Sequence, residues 1–460
     1  MKNSWLLASR RSLLITSVLV LLGLATLTHP LANSAMAQDK PIVLKGGKLL
    51  TVTHGTIDSG VLVINNGKIA AVGPATSVNI PRDARVIDIS GMTVYPGLID
   101  SETNLGLIEI SAEQSTNDTI EMSDEIMPHM HVHDAFHAES ELIPVARING
   151  ITNAIVAPQN RDTLPGQDAF IQLDGNSAQE MLEVKDVAMP LNFTGEQRRN
   201  ESREKRKFPE TRMGMAAQLR QAFLDAQDYK QKWADYQSKK TEPVKADDKK
   251  SAATPPKHDL KLEALLPYLE GKRPIVLAAD GSSDLQTAVG LAHEFNLKFV
   301  LNHISHSQPV LDYVAGLKVP VIVGPIYETP KENERYDAVY SLPAQLFKRG
   351  VKIAFASFDA HNVRNLPYQA GYAVAFGLPY DEALKAITLN PAEIWGVADK
   401  LGSLDVGKTA NVVVATGDPL DVRTDVKEVF INGQQIPMVS RQTRLRDQYS
   451  NPTAQASDVK

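Results

Sequence analysis

The chain of 460 residues contains no cysteine. Disulfides, Cys-ligated zinc, iron–sulfur clusters and thiol nucleophiles are therefore excluded. Any metal must rest on imidazole, carboxylate, amide or water ligands. Basic residues are not in excess: Lys plus Arg is 48 against 54 for Asp plus Glu, a net charge of −6. Residues 1–37 carry Lys2, Arg10 and Arg11 and no acid, so −6 minus 3 leaves −9 for the remainder. That balance argues against general nucleic-acid binding. No apolar run reaches the ~20 residues of a spanning helix. No glycine loop in a phosphate-cradling context precedes a helix, which leaves nucleotide binding without support. Ser305-His306-Ser307 lacks the Gly-x-Ser-x-Gly elbow of a serine hydrolase. What is present is 43% hydrophobic and 22% charged residues, the balance of a globular protein with a large core.

The first forty residues read as an address. A basic start leads into the mostly apolar stretch Leu13 to Leu27, and Ala35-Met36-Ala37 offers small residues for cleavage before Gln38. This is the secretory signal pattern. Ser9-Arg10-Arg11-Ser12 also resembles a twin-arginine signal, although the leucine-rich stretch favours ordinary export. The expected location is periplasmic or secreted, with no stable membrane insertion after cleavage.

Residues 38–95 read as β structure. Short apolar runs surround Asn65-Asn66-Gly67-Lys68, a hairpin signal because Asn and Gly tolerate positive φ. From 96 to 398, β-like runs at 154–156, 274–277, 299–301, 319–323 and 351–355 alternate with helical stretches. Such alternation predicts a parallel sheet with crossover helices, and the length suits a (β/α)₈ barrel. Residues 196–258 form a charged insertion. Within it, Met215, Leu219, Phe223, Tyr229, Trp233 and Tyr236 recur near helical spacing. The spacing predicts an amphipathic helix over 211–238, packed on the barrel or on a twin subunit, followed by a solvated loop over 239–257. Residues 399–438 return to β, and 439–460 read as a polar, frayed tail. The two β segments are expected to pair into one sandwich. The fold class is thus α/β, a (β/α)₈ barrel beside a sandwich built from both chain ends.

Several motifs together resemble the amidohydrolase superfamily, in its imidazolonepropionase-like, cyclic-amidohydrolase branch. Pro96-Gly97-Leu98-Ile99-Asp100 is similar to that family's run into the first barrel strand. Gly377 to Leu384, Thr388-Leu389-Asn390-Pro391-Ala392, Leu401 to Leu404 and Gly407 to Asn411 are similar to its late helix, turn and return to the sandwich. The resemblance implies hydrolysis of C–N bonds assisted by one or two divalent ions, a small-molecule substrate, and a homodimer or pairing with a related amidohydrolase chain.

Carried onto this chain, the family's His-x-His pair falls on Glu102 and Asn104. Its fifth-strand His falls on Ala278, its sixth-strand His is kept as His303, and its eighth-strand Asp is kept as Asp359. The fourth-strand ligand falls near Leu191. The resemblance makes Asp359 the catalytic proton acceptor. It leaves Glu102, His303 and Asp359 to hold one ion at most, zinc, manganese or similar. The other reading is no metal, with His303 and Asp359 as a hydrogen-bonded pair, in a non-catalytic ligand-binding protein or a partner of an active sister chain. Asn104, Gln167 and His361 are candidate substrate contacts. A second cluster, His129, His131 and His133, is a possible metal patch if extended. It reads otherwise as exposed loop histidines, or as residues leaning over the barrel mouth to replace lost ligands.

Overall fold

Asn66 and Gly67 take φ of 50° and 74°, as a two-residue turn between right-twisted strands demands. They join β2 (Thr56–Asn65) to β3 (Lys68–Pro74). In this computed structural model, residues 40–121, 123–194, 209, 211–241 and 254–450 are described. The expected signal segment and most of the expected loop at 239–257 lie outside them. Strand β1 (Ile42–Leu50) pairs with β2 along its length, with register shifts between Lys45 and Leu49. Its first half also pairs with β4 (Arg85–Asp88) and its second half with β5 (Thr93–Pro96). Beyond β5 come the later strands β14 (Val412–Ala415), β15 (Val426–Ile431) and β16 (Gln434–Gln435). One sheet therefore combines both ends of the chain. Leu44, Leu62, Ile64 and Val94 pack in its core with Val412, Val414 and Phe430.

The second sheet is the barrel: β6 (Leu98–Thr103), β7 (Ile151–Val156), β8 (Asp168–Gln172), β9 (Leu182–Asn192), β10 (Ile275–Ala278), β11 (Phe299–Asn302), β12 (Val321–Val323) and β13 (Ile353–Phe355), in that order. Side chains alternate across the strands, except where the β6 register shifts between Leu98 and Ile99 and between Asp100 and Thr103. Ile99, Ile155, Phe170, Val276, Val300, Ile322 and Ala356 fill the interior above Trp395 and Leu401. Their neighbours in sequence face the helices. Gly97 permits this entry, because a Cβ there would lie 2.2 Å from Thr152 Oγ1. The seam between β6 and β13 is bridged by Ala386-Ile387, whose carbonyls accept from Phe355 and Ile99 amides at 2.9 Å each. Asn411 Nδ2 donates to Asn153 Oδ1 at 2.8 Å and ties barrel to sheet.

One expectation needs correction. The barrel is not wholly parallel: β8 runs antiparallel to both neighbours. The link Ala157–Gln167 holds no helix and Leu173–Met181 only the one-turn helix Ala178–Met181, too little for a parallel crossover, so each joins antiparallel strands. The insertion helix spans Arg212–Thr241 and buries Met215, Leu219, Phe223, Ala226 and Tyr229. This stripe packs on the helices Leu260–Leu269 and Ser282–Glu294 of the same chain, with the Phe223 and Phe295 rings 5.0 Å apart. Within the expected tail, Arg441–Ser450 forms a helix that buries no residue, joined to the body by Arg444 on Glu141. Among the described residues, no helix is long and apolar enough to cross a membrane.

Candidate active site

Glu102, near the end of β6, turns into the barrel and is 4% exposed. Its Oε1 accepts from Asn160 Nδ2 at 3.0 Å and its Oε2 from Asn302 Nδ2 at 2.6 Å. His303 follows β11, with Nε2 2.7 Å from Asn160 Nδ2 and 3.8 Å from Glu102 Oε1. Asn160 thus spends one N–H on each partner, which leaves the lone pair of His303 Nε2 as the acceptor. His303 and Phe358 both take φ near 50° and stack with ring centroids 4.2 Å apart. Non-glycine residues held at such angles gather at functional sites.

Two further acids complete the interior, and the sequence reading passed over both. Asp168 opens β8. Because β8 is reversed, its first residue rather than its last lies at the end shared with the close of β7. Asp168 is 1% exposed and neither carboxylate oxygen has a hydrogen-bond partner. Burial, with the Glu102 charge added, drives its carboxyl well above the usual range. Asp100 Oδ1 accepts from the Ser357 and Glu102 amides at 3.0 and 3.3 Å. Burial nevertheless raises its pKa to about 7. Asp100 Oδ2, both Asp168 oxygens, Asn160 Oδ1 and Asn302 Oδ1 are buried acceptors without partners. Several acceptors of the interior are therefore without donors.

The remaining expected site residues are engaged as follows. Asp359 Oδ1 accepts the His361 and Asn362 amides at 2.6 and 2.7 Å, so this carboxylate shapes its own loop. His303 bonds to Asn160 rather than to Asp359. Asn104 Nδ2 donates to Ala157 O at 2.8 Å, and His361 is half-buried beside Asp359. Leu191 is fully buried in the layer facing the helices, because its side of β9 points outward. Ala278 brings no donor. Gln167 is 3% exposed and engaged at both ends, donating to Pro128 O at 2.9 Å and accepting from Tyr268 at 2.8 Å.

Among the described residues, the three imidazole or carboxylate side chains whose ligand atoms converge within 4.8 Å are His131, His133 and Asp186. Glu102, His303 and Asp359 make no such group. The barrel interior offers part of a donor set, two groups side by side with both Glu102 oxygens already engaged. It does not fit the usual two-ion arrangement.

The site thus lies at the strand ends of a barrel flanked by a sheet built from early and late strands. An amidohydrolase family model matches residues 280–436. The amidohydrolase tasK of Hapsidospora irregularis is 25% identical over 393 residues, 81% of this chain and 39% of that protein. The dihydroorotase of Syntrophus aciditrophicus (strain SB) is 39% identical over 64 residues, 14% of this chain and 15% of that protein. The chain thus spans about two-fifths or less of these relatives. A solved amidohydrolase from Thermotoga maritima MSB8 superposes with a TM-score of 0.77 at 27% identity, over 87% of this chain and 100% of that one. The family model, these relatives and this solved structure all indicate the amidohydrolase superfamily, whose members typically depend on divalent metals.

Proposed function

We propose that the chain hydrolyses C–N bonds in a small substrate rich in N–H groups, a cyclic amide or a small peptide-like molecule, with at most one metal ion in the barrel. One observation carries this reading: Asp168 is buried with both oxygens unbonded and feels the Glu102 charge, among other acceptors that lack donors. A carboxyl that holds its proton more tightly than usual can divide general acid and base roles with an imidazole. Water attacks the amide carbon and passes its proton to His303 Nε2, whose lone pair gives up the Asn160 N–H as the substrate binds. The C–N bond breaks, and the leaving nitrogen takes the Asp168 proton. Transfer of the His303 proton back to Asp168 restores the site. No metal is needed in these steps.

The test is turnover of cyclic amides, N-acyl amino acids and dipeptides, followed by mass spectrometry with and without chelator. Asp168→Asn and His303→Ala are expected to cut the rate about 100-fold or more. Unchanged rates in both variants would overturn the assignment. A second reading, a non-catalytic ligand-binding relative or partner of an active sister chain, is favoured by Ala278 and by the engaged Asp359 carboxylate. It predicts saturable binding of the same compounds without turnover. The proposal extends to export through residues 1–37, checked by N-terminal sequencing of exported protein, and to a homodimer, checked by light scattering.

A further inference from the structure

Gln167 and Asp168 are consecutive and face opposite ways. Asp168 joins the interior acids, whereas Gln167 binds Pro128, Tyr268 and Arg273 on the outer side. The loop Pro128–His133 is laid along that outer side. Gln167 N donates to Met130 O at 2.9 Å, and Val132 N donates to Gln167 O at 3.1 Å. This fixes His131 and His133 against Asp186 of β9. Asp186 has a φ of 51°, inside a strand where Val187 and Ala188 both belong to the barrel interior. The distortion aims the Asp186 carboxylate away from the interior, toward the histidines.

We propose that His131, His133 and Asp186 form a site for a divalent transition metal ion, separate from the barrel interior. Two imidazoles and a carboxylate suit zinc, with water in the fourth position. Their ligand atoms already lie within 4.8 Å of one another. Bonds of about 2.0–2.2 Å require only a small inward movement. His133 Nδ1 is buried without a partner, while its Nε2 lies 3.3 Å from Asp134 Oδ1. That is the arrangement in which a carboxylate holds one ring N–H and leaves the other nitrogen's lone pair for a metal. Arg273 approaches Asp186 Oδ2 at 3.4 Å, whereas Oδ1 faces His131 Nδ1 at 2.6 Å. The His131 and His133 side chains are 26% and 15% exposed, so an ion has a route in. Arg273 and the nearby Lys185 oppose a further cation, and Asp186 and Asp134 offset them. A bound ion would fasten the loop to β9 behind Asp168.

The experiment uses the full chain purified without an affinity tag, stripped with chelator and titrated with Zn²⁺ by calorimetry. Co²⁺ titration, followed by visible absorption, reports coordination. The proposal expects one equivalent bound, with Co²⁺ bands of a four- or five-coordinate ion. His133→Ala and Asp186→Asn should each weaken binding at least tenfold. Asp134→Ala should weaken it less, and Glu102→Gln should leave this equivalent unchanged. Should Asp186→Asn fail to fold, His133→Ala decides alone, with its fold checked by circular dichroism. No binding by the unaltered chain, or equal binding by His133→Ala, overturns the site. The titration reads no turnover, so failure of the proposed hydrolysis leaves it untouched.

Discussion

Replacing Asp100 by Asn tests the electrostatics of the barrel interior directly. The change is nearly isosteric. The introduced amide oxygen can still accept the Ser357 and Glu102 amides, and an NH₂ group takes the place of the unpartnered Oδ2. Burial raises the Asp100 pKa from 3.8 to about 7. The folded chain therefore keeps this proton up to about neutrality, whereas the unfolded chain releases it near the ordinary value. Stability from this proton is complete below pH 4 and is lost as the pH rises through 7. At about 1.4 kcal/mol per pH unit, the loss is on the order of 4 kcal/mol by pH 8. An amide at this position does not titrate, so the variant escapes that loss. Urea denaturation from pH 4 to 8, followed by tryptophan fluorescence with Trp395 beneath the barrel interior, measures the difference. Asp100→Asn should gain on the unaltered chain from pH 4 to about 7 and level off above that. Parallel stability profiles would refute the argument, because they would mean that Asp100 ionises as readily folded as unfolded.

Phe223→Ala should cost about 3–5 kcal/mol, since the ring is fully buried against Phe295 and leaves a cavity beneath the insertion helix. Limited proteolysis should then cut within Arg212–Thr241 faster than in the unaltered chain. Gly433→Ala should cost about 1–3 kcal/mol, read as a lowered Tm, from a φ of 76° and a Cβ placed 2.8 Å from Gly67 Cα. Gly407→Ala, also at positive φ but with open space around its Cβ, should cost less, which separates the clash from backbone strain.

The regular parts of the fold were legible because they carry local signals. Asn66-Gly67 and Asn432-Gly433 announce their turns, and Met215, Leu219 and Phe223 mark the buried helix face. Glu102 and His303 were found because strand alternation and a motif fix their register. The reversed β8 was not legible, since DAFIQ reads the same in either direction. Without that reversal, nothing marks Asp168 as a mouth residue. Asn160 and Asn302 were missed for a related reason: an amide gains its role from the partners the barrel supplies, and 143 residues separate Asn160 from His303. The convergence of His131 and His133 with Asp186 depends on a positive φ at an aspartate, which no local pattern signals.

The hairpin turns at Gly67 and Gly433 lie back to back, and β5 is flanked by β14 on one side. A ribosome must therefore synthesise the whole barrel before the first sheet can be finished. During that interval the side of β5 that awaits β14 presents unpaired amides and carbonyls, an invitation to wrong partners in a crowded cell. Closure of the sheet thus depends on distant chain segments meeting.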